Sequence, residues 1–492
     1  MAGPALAHAL LVEMNTSGYN VFGNAELTSR VLDVAESDEL TLVIGAGASV
    51  EAGLPDWDEL IRRLVTDVAN QHGLGEDETS QFSSWTLARE GLRGASALAK
   101  VMLGDAFPER LRKALYERND DPVPGEISRA VGRLTVQRLA GRCEVATTNY
   151  DGLLADAIRQ ELELVRASRK GLRVVRAAMD RPAADSELLV RHLHGVLLAS
   201  GQPVGKIVLS DDDYFLMQDA SAWQEEYFGQ RLRASMCLFV GTSLTDPNLL
   251  RYLYRSPARL RHLALFARQQ DRDTYDRVQP RVAELREKTA TARWEAVGVR
   301  PIHLDFYSLS AQFLWEVVHR QAAGRAYEPL TKRLEAWEAA LSGGVASRSS
   351  RSFHAQQERL QSILAELTSA ASEVLSRAGH LGRKAERLGM ALWLFEPTRN
   401  RLTNLASSDR IWCDPRTLVP VDVNWRSDFV AVQAFCSGSI VSASTADQAA
   451  TRWNHVIGIP LFLRNDDIGR LPVGVVTLAS TVTAHKSVLG RG

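Results

Sequence analysis

The stretch that most constrains this chain is LTLVIGAGASVEAGLPDW, from Leu40 to Trp57. The apolar run from Leu40 to Ile44 is typical of a parallel strand that is covered on both faces. Gly45 and Gly47 then permit a tight turn in which backbone N–H groups can approach a phosphate without a Cβ in the way. The stretch favours an α/β fold with a nucleotide-phosphate site, and an ordinary glycine-rich strand-to-helix turn explains it equally well.

A helix is predicted directly after this turn. Asp56 and Glu59 have capping-box spacing, with Asp in place of the usual Ser or Thr. An amphipathic run follows at Leu60, Ile61, Leu64 and Val65. The dinucleotide fingerprint G-x-G-x-x-G is incomplete, because Val50 stands where the third glycine would be. The motif alone therefore does not identify a dinucleotide site.

Length and composition set the outer limits. A chain of 492 residues exceeds what one core usually supports, so two or three domains are expected. The net charge of −1 gives no indication of nucleic acid or an anionic membrane as a partner. The four cysteines are far apart and form no C-x-x-C pair, so neither a metal site nor a disulfide framework is predicted. No segment approaches transmembrane length, and a cytoplasmic location is the expectation.

Polar residues follow three further predicted strands. Cys143 to Thr147 leads into Asn149 and Asp151, Val190 to Leu193 leads into His194, and Met236 to Val240 leads into the segment 241–247. Additional strands are predicted at Lys206 to Leu209, Leu263 to Ala267 and Arg300 to Leu304. Alternation of strands with helical stretches predicts a Rossmann-like, doubly wound, mostly parallel sheet over about the first two-thirds of the chain. The polar residues would then meet at the carboxyl edge of this sheet, where such folds bind ligands.

Two acidic motifs have simple structural explanations. Asp246-Pro247 suits a helix start, with Asp as N-cap and Pro at N1, at least as well as a ligand contact. The run Asp211 to Asp213 fits a solvated, helix-starting turn before Tyr214 much better than a metal site.

Five motifs in order resemble the sirtuin-like domain of bacterial NAD+-consuming anti-phage proteins. They are GAGAS (45–49), GLPDW (53–57), TTNYD (147–151), LHG (193–195) and GTSLTDP (241–247), within about residues 30–320. The resemblance implies that NAD+ is bound as a substrate. It further implies phosphate contacts from Gly45, Ala46, Gly47 and Ser49; contacts to a phosphate or the adenosine ribose from Gly241, Thr242 and Ser243; positions near the nicotinamide ribose for Asp56, Asn149 and Asp151; and a catalytic role for His194. The paired C-x-x-C zinc module of the protein-deacylating sirtuins is missing, which disfavours a peptide substrate.

The side chains of Asn149 and His194 suit this chemistry independently of the resemblance. Cleavage of the nicotinamide N-glycosidic bond passes through an oxocarbenium-like state, so the site must hold the sugar, stabilise charge and admit a nucleophile. Asn149 offers a neutral amide that can orient ribose hydroxyls or the attacking water. His194 has an ordinary pKa near the operating pH, which suits proton transfer. An isolated histidine is usually structural, but His194 is followed by glycine at the end of a predicted strand, and Asn149 lies at the end of another.

The chain is expected to contain five regions. These are an N-terminal lead-in (1–29), a sirtuin-like catalytic domain (30–341), a Gly/Ser-rich linker (342–352), an amphipathic helix (353–388) and a smaller α+β domain (389–492). Within the last region, Met390 to Phe395 and Arg401 to Ala406 are predicted to form a hairpin. Its final pair of strands resembles the end of a GAF sensory domain, which implies ligand binding or dimerisation.

The sequence therefore predicts an NAD+ hydrolase that releases nicotinamide and ADP-ribose. The resemblance implies an anti-phage, abortive-infection effector that depletes cellular NAD+ after a small-molecule or phage-derived trigger. A homo-oligomer is expected, with the region 353–492 controlling assembly or access to the site. The alternatives are an NAD-dependent ADP-ribosyltransferase or deacylase, and a non-hydrolysing nucleotide-binding sensor or assembly protein.

Overall fold

The computed structural model describes residues 25–117, 119–138, 142–165, 171–179, 181, 184, 186–216, 223–255, 262–268, 279–345, 350–377, 386–424, 427–444, 452–465, 469–483, 487 and 489. Residues 1–24, most of the predicted lead-in, lie outside this part of the chain. Two compact units are formed and are described separately. The α/β unit comprises Asp33–Phe266 and Asp273–His303, and the C-terminal unit comprises Met1–Leu32, Ala267–Arg272 and Leu304–Gly492.

The helices are listed here in chain order: α1 Ala25–Glu36, α2 Gly47–Val50, α3 Trp57–Gln71, α4 Glu76–Leu103, α5 Phe107–Tyr116, α6 Glu126–Arg138, α7 Leu153–Leu164, α8 Asp211–Leu216, α9 Trp223–Ala234, α10 Pro247–Arg255, α11 Pro280–Glu295, α12 Tyr307–Ala323, α13 Leu330–Val345, α14 Ser350–Arg377 and α15 Val430–Ser437. The strands are β1 Leu40–Ile44, β2 Cys143–Thr147, β3 Arg173–Ala177, β4 Glu187–His192, β5 Met236–Val240, β6 His262–Ala267, β7 Val299–Leu304, β8 Leu388–Glu396, β9 Arg401–Ser407, β10 Pro420–Asp422, β11 Val441–Ser444, β12 His455–Asn465 and β13 Gly469–Ser480.

The α/β unit is built on a seven-stranded sheet with strand order β3-β4-β2-β1-β5-β6-β7. β1 pairs in parallel with β2 on one side and with β5 on the other. Every residue of β1 is buried, as the apolar residues Leu40, Leu42, Val43 and Ile44 predicted. Chain order reverses at β1, and in such sheets the crevice at the carboxyl ends beside this point is the usual ligand site. The predicted Rossmann-like, mostly parallel sheet is confirmed.

Strand β1 is covered by helices because its side chains alternate between the two faces of the sheet. Val43 and Phe239 lie in one apolar cluster with residues of α9, α10 and the end of α11. The apolar side of α3 forms another cluster with α4 and α5. Asp56 caps α3, because its side chain accepts a hydrogen bond of 2.8 Å from the amide of Glu59, as the spacing predicted.

The predicted strand from Lys206 to Leu209 is wrong. Val208 and Leu209 are buried, yet their backbone groups bond to the site rather than to a neighbouring strand. The amide of Val208 donates to the carbonyl of His194 at 3.1 Å, and the Val208 carbonyl accepts the hydroxyl of Tyr150 at 2.6 Å. The segment is apolar because it is a buried connection beside His194, and this environment resembles a strand in sequence.

The C-terminal unit contains a six-stranded antiparallel sheet with strand order β10-β9-β8-β13-β12-β11. The predicted hairpin is confirmed as the antiparallel pair β8 and β9. Leu364 of α14 is buried in an apolar cluster with Met390 and Leu478 of the sheet. The smaller α+β architecture predicted for this part of the chain is thus observed.

The segment predicted as a linker, 342–352, lies largely in helices. Helix α13 extends to Val345 and helix α14 begins at Ser350, while 346–349 lie outside the described residues. Glycine and serine lower helix propensity by only about 1 kcal/mol or less per residue, so a helix that is stabilised elsewhere can run into such a segment. The expected domain boundary at 341 stays a prediction.

Candidate active site at the carboxyl edge of the parallel sheet

Four chain segments follow neighbouring strands at the carboxyl edge of the sheet, and we call them the edge segments. They are 45–49 after β1, 148–151 after β2, 193–195 after β4 and 241–246 after β5. The pairing of β2 with β4 places Thr147 opposite His192. Asn149 and His194 each lie two residues beyond this pair, so the register brings both to the same edge.

The two glycine segments touch each other through their backbones. The amide of Gly47 donates to the carbonyl of Gly241 at 2.9 Å, and the amide of Gly45 donates to Val240 at 3.0 Å. A Cβ on Gly45 would lie 2.5 Å from the Gly241 carbonyl oxygen and 2.7 Å from Cβ of Thr242. Gly241 has φ +66°, in the left-handed region that favours glycine. Glycine at 45 therefore permits close approach of two edge segments.

Gly45→Ala is expected to destabilise the protein by about 1–3 kcal/mol, because the added methyl overpacks a contact with rigid backbone. Gly229→Ala is a matched control, since a Cβ there, within α9, meets nothing closer than 3.5 Å. Thermal unfolding followed by circular dichroism measures both variants. Equal midpoints for Gly45→Ala and Gly229→Ala would contradict this account of the glycine turn.

Asn149 is buried and connects two of the edge segments. Its Nδ2 donates to the Gly45 carbonyl at 3.1 Å and to Oγ of Ser49 at 2.9 Å. Its backbone amide donates to Oγ1 of Thr147 at 2.9 Å. Oδ1 of Asn149 is buried and has no hydrogen-bond partner among the described residues. The side chain is thus held in place by its donor end while its acceptor end stays available to a ligand hydroxyl or a water.

Asp151 lies behind this amide. Its Oδ2 accepts a hydrogen bond of 2.7 Å from the Ser49 hydroxyl, and its Oδ1 accepts the amide of Leu153 at 3.0 Å, at the start of α7. Burial raises the pKa of Asp151, and the hydrogen bond from Ser49 opposes this. Asp151 and Ser49 therefore form a buried support for Asn149 in this structure.

His194 is buried at the end of the LHG motif, and its Nε2 lies 3.2 Å from Oδ2 of Asp246. The ring of Tyr214 makes an edge contact with the imidazole, with 5.6 Å between ring centroids. Burial lowers the pKa of His194, while the carboxylates of Asp246 and Asp213 oppose the shift. The imidazole is therefore neutral near pH 7 and can accept a proton.

A second buried histidine supports the same edge. Nδ1 of His192 lies 3.0 Å from the backbone carbonyl of Asn149, and its Nε2 has no hydrogen-bond partner among the described residues. Burial lowers the pKa of His192 to about 4. A neutral imidazole can donate from Nδ1 to the Asn149 carbonyl, so His192 fixes the backbone that carries the amide.

The remaining predicted contact residues lie nearer the solvent. Asp56 is exposed and caps α3. Ser243 is exposed, and its hydroxyl lies 2.7 Å from that of Thr245; the Thr242 hydroxyl accepts the amide of Leu244 at 3.2 Å. Leu244 is fully buried at φ +55°, a conformation uncommon for a non-glycine residue and retained where packing fixes it.

Sequence reasoning did not include Asp246, Tyr214 or His192 among the site residues. Asp246 is the predicted N-cap of α10, because its Oδ1 accepts the amides of Asn248 and Leu249, each at 2.9 Å. Its other oxygen, Oδ2, lies 3.2 Å from Nε2 of His194, so the same carboxylate that caps the helix also contacts the histidine. Asp213 lies in the first turn of α8, within the predicted helix start, but it is buried, and its carboxylate accepts hydrogen bonds from Lys100 and Ser210.

Comparison with known proteins shows what this unit is similar to. Residues 144–302 match the model of the SIR2-like domain. Over 231 residues the chain is 26% identical to the NAD(+) hydrolase ThsA of Enterococcus faecium, an alignment that covers 46% of this chain and 42% of that protein. The chain therefore matches less than half of the length of this curated relative.

Solved structures of Sir2 homologues were also found. A complex of a Sir2 homologue with NAD aligns with a TM-score of 0.30 at 16% identity, covering 59% of this chain and 93% of that one. A mutant Sir2 homologue with ADP-ribose aligns with a TM-score of 0.33 at 16% identity, covering 61% and 98%. The α/β fold class of this unit follows from the strand order of its sheet and not from these alignments.

The described residues contain neither a metal-binding cluster nor a membrane-spanning helix. No group of three or more His, Cys, Asp or Glu side chains in this part of the chain is arranged to hold a metal ion. Within the same residues, none of the helices has both the length and the apolar character needed to cross a bilayer.

Proposed function

We propose that the α/β unit is an NAD+ hydrolase that cleaves the nicotinamide glycosidic bond and releases nicotinamide and ADP-ribose. The observation that carries the proposal is that Asn149 and His194 lie at the same carboxyl edge of a parallel sheet as the two contacting glycine segments. The match to the SIR2-like domain and the name of the curated relative support the same chemistry.

The residues present fit a dinucleotide. Asn149 has a buried, unpartnered acceptor, a feature that protein interiors rarely leave without a ligand or a water. Gly45 and Gly241 allow the two glycine segments to contact each other through their backbones, with no side chain between them. We expect 45–49 and 241–243 to bind the phosphates and the adenosine ribose. In this structure the amides of Gly45 and Gly47 donate to the carbonyls of Val240 and Gly241, so phosphate binding through these two amides requires the two glycine segments to separate.

The proposed reaction needs few groups from the protein. Glycosidic cleavage develops positive charge on the ribose, and a neutral amide oxygen close to the sugar stabilises that charge and orients a hydroxyl or a water. We assign this role to Asn149. The neutral imidazole of His194 accepts a proton from the nucleophilic water or from a ribose hydroxyl. We expect Asp56 and Asp151 near the nicotinamide ribose. Asp151 would act there through the hydrogen bond that it accepts from Ser49.

The function is tested by separating free nicotinamide from NAD+ by HPLC after long incubation with the full chain. Even an inhibited enzyme is measurable, because about 3 kcal/mol of bias towards an inactive state leaves about one per cent of the activity. Accumulation of nicotinamide with time supports hydrolysis. Intact NAD+ at high protein concentration would contradict it and favour the non-hydrolysing sensor.

ADP-ribosyl transfer or deacylation remains the alternative enzyme activity. Both begin with the same bond cleavage, so Asn149 and His194 do not distinguish them from hydrolysis. The missing C-x-x-C module favours water over a peptide as the acceptor. Appearance of ADP-ribose on protein, in place of free ADP-ribose, would favour transfer.

We further propose that the protein acts in anti-phage defence in the cytoplasm, depleting NAD+ after a trigger reaches it. Regulation of the site by the region 353–492, including the GAF-like part, belongs to this proposal. It is supported by a six-stranded antiparallel sheet in the C-terminal unit, which has the architecture of a separate module.

Helix α14 offers a surface for the expected homo-oligomer. Leu364 faces the sheet of its own unit, whereas Ile363, Leu367 and Val374 are exposed to 44%, 50% and 65%. Only part of the predicted apolar stripe is therefore buried. The exposed residues are spaced four and seven apart, so they share one outer face of the helix. Burial of such a face against the same helix of a second copy would join two chains.

Replacing Ile363, Leu367 and Val374 by Ser is expected to lower the subunit number, because the outer apolar face would be lost. Ser362, Glu366 and Ser369 are exposed on the same helix, and their replacement by Ala is the matched control. Light scattering after size exclusion gives both masses. An unchanged mass for the Ser variant would remove α14 from the interface.

A further inference from the structure

We propose that Asp246 is a positioning residue that keeps the proton of His194 on Nε2, so that Nδ1 is the basic nitrogen of the site. This inference rests on the function proposed above. One carboxylate oxygen, Oδ2 of Asp246, lies 3.2 Å from Nε2 of His194 and accepts a hydrogen bond of 3.0 Å from the hydroxyl of Tyr214. Two ring systems thus converge on the same carboxylate oxygen.

The position of the proton follows from what each group can donate. An ionised carboxylate only accepts hydrogen bonds, and a neutral imidazole has one N–H and one lone pair. A lone pair on the nitrogen that faces Asp246 would meet the carboxylate oxygen at 3.2 Å, so the charge of Asp246 favours the proton on this nitrogen. Nδ1 of His194 makes no hydrogen bond to the described part of the chain, so its lone pair remains for the substrate or a water.

The surrounding charges agree with this assignment. Asp246 approaches His194 from the start of α10, and Asp213 and Tyr214 approach it from α8. Tyr150, in the segment after β2, lies near the two carboxylates. Lys100 of α4 neutralises Asp213 through a bond of 2.8 Å. Asp246 is thus the carboxylate in direct contact with the imidazole. It stabilises the imidazolium that forms when His194 accepts a proton.

Asp246 also has a structural role, and the two roles use different atoms. Oδ1 caps α10, whereas Oδ2 faces His194. Asn and Ser are both good N-caps, so either can preserve the helix start. Asn keeps the size of Asp and replaces the acceptor by an NH2 donor. In Asp246→Asn the lone pair of His194 must face this donor, and the proton moves to Nδ1.

The test compares Asp246→Asn with Asp246→Ser in the full chain. Nicotinamide release by Asp246→Asn is expected to fall by about 10²–10⁴ in kcat with KM nearly unchanged, because the wrong tautomer cannot accept the proton. Asp246→Ser keeps the cap without imposing the wrong tautomer and should lose less. Equal losses in both variants, or a change confined to KM, would overturn the proposal.

The pH profile gives a second readout that helix capping alone would not move. The acid limb of kcat/KM reports protonation of His194 in the free enzyme. Asp246 raises the pKa of His194 against the effect of burial, so removal of its charge lowers that pKa further. The acid limb should therefore move to lower pH in Asp246→Ser. An acid limb at the wild-type pH in Asp246→Ser would contradict direct contact between Asp246 and His194.

A measurement without turnover separates this inference from the proposed function. In protein labelled with ¹⁵N at histidine, two-bond correlation spectra show which ring nitrogen carries the proton, and the signal lost in His194→Gln identifies His194 among the 11 histidines. We expect an unprotonated Nδ1 in the wild type and a protonated Nδ1 in Asp246→Asn. A protonated Nδ1 in the wild type would overturn the inference, whether or not the protein cleaves NAD+.

Discussion

Replacement of Asn149 by Ala is expected to reduce nicotinamide release by about a hundredfold or more, because the variant loses the amide oxygen that faces the developing charge. The loss should appear mainly in kcat if the contact strengthens in the transition state. Initial rates of nicotinamide formation over a range of NAD+ concentrations give both constants.

Asn149 also makes structural hydrogen bonds, so the loss of stability in Asn149→Ala must be measured separately from the loss of activity. Its Nδ2 joins Gly45 and Ser49, so the variant also loses two hydrogen bonds, each worth about 1 kcal/mol. Unfolding by urea should show this small destabilisation and an intact transition. Asn70→Ala, on the exposed surface of α3, is the matched control and should retain full activity. Wild-type turnover by folded Asn149→Ala would remove Asn149 from the mechanism.

His194→Gln should reduce nicotinamide release by about 10²–10⁴, since glutamine retains a polar side chain but cannot accept a proton near neutral pH. The pKa of His194 is lowered, so the wild-type acid limb should lie below the ordinary histidine value of about 6.5. Activity is then present above this limb and is lost as the pH falls through it. Rates of His194→Gln should show no such limb.

The matched control is His72→Gln, which changes an exposed histidine after the end of α3. It should leave both the rate and the pH profile of nicotinamide release unchanged. A His194→Gln variant with the wild-type rate and the wild-type acid limb would exclude His194 as the base.

Much of the parallel sheet could be predicted because its strands are unusual in sequence. Leu40 to Ile44 and Met236 to Val240 are mostly apolar runs at the centre of a sheet covered on both faces, and the structure places strands at those residues and at Cys143 to Thr147. Each run is followed by polar or glycine residues, which located the carboxyl edge. The position of the site could therefore be predicted from the residues that follow these strands.

What could not be predicted depends on contacts between distant segments. The apolar residues of Lys206 to Leu209 suggested a strand, yet they are buried against His194 and Tyr150 without a neighbouring strand. The contact of Asp246 with His194 could not be predicted, because it depends on the start of α10 lying beside the end of the LHG motif. The inward position of His192 depended on its bond to the Asn149 carbonyl. Sequence spacing carries no information about such pairs.

The glycine turn shows the same limit at a finer level. GAGAS predicted a tight turn with amides near a phosphate, and the turn is present at the expected place. Its closest neighbour is another part of the protein, because Gly45 and Gly47 bond to Val240 and Gly241. Glycine is therefore required here for contact between two edge segments, in addition to any role in binding.

The most direct test of the central claim is the product balance of NAD+ cleavage in water labelled with ¹⁸O, analysed by mass spectrometry. Hydrolysis at the carboxyl edge predicts one nicotinamide and one ADP-ribose for each NAD+ consumed, with one ¹⁸O in each newly formed ADP-ribose. Loss of this product in Asn149→Ala and His194→Gln would place the reaction at the proposed residues. Unlabelled ADP-ribose bound to protein, or NAD+ that remains intact with every form of the chain, would contradict the account.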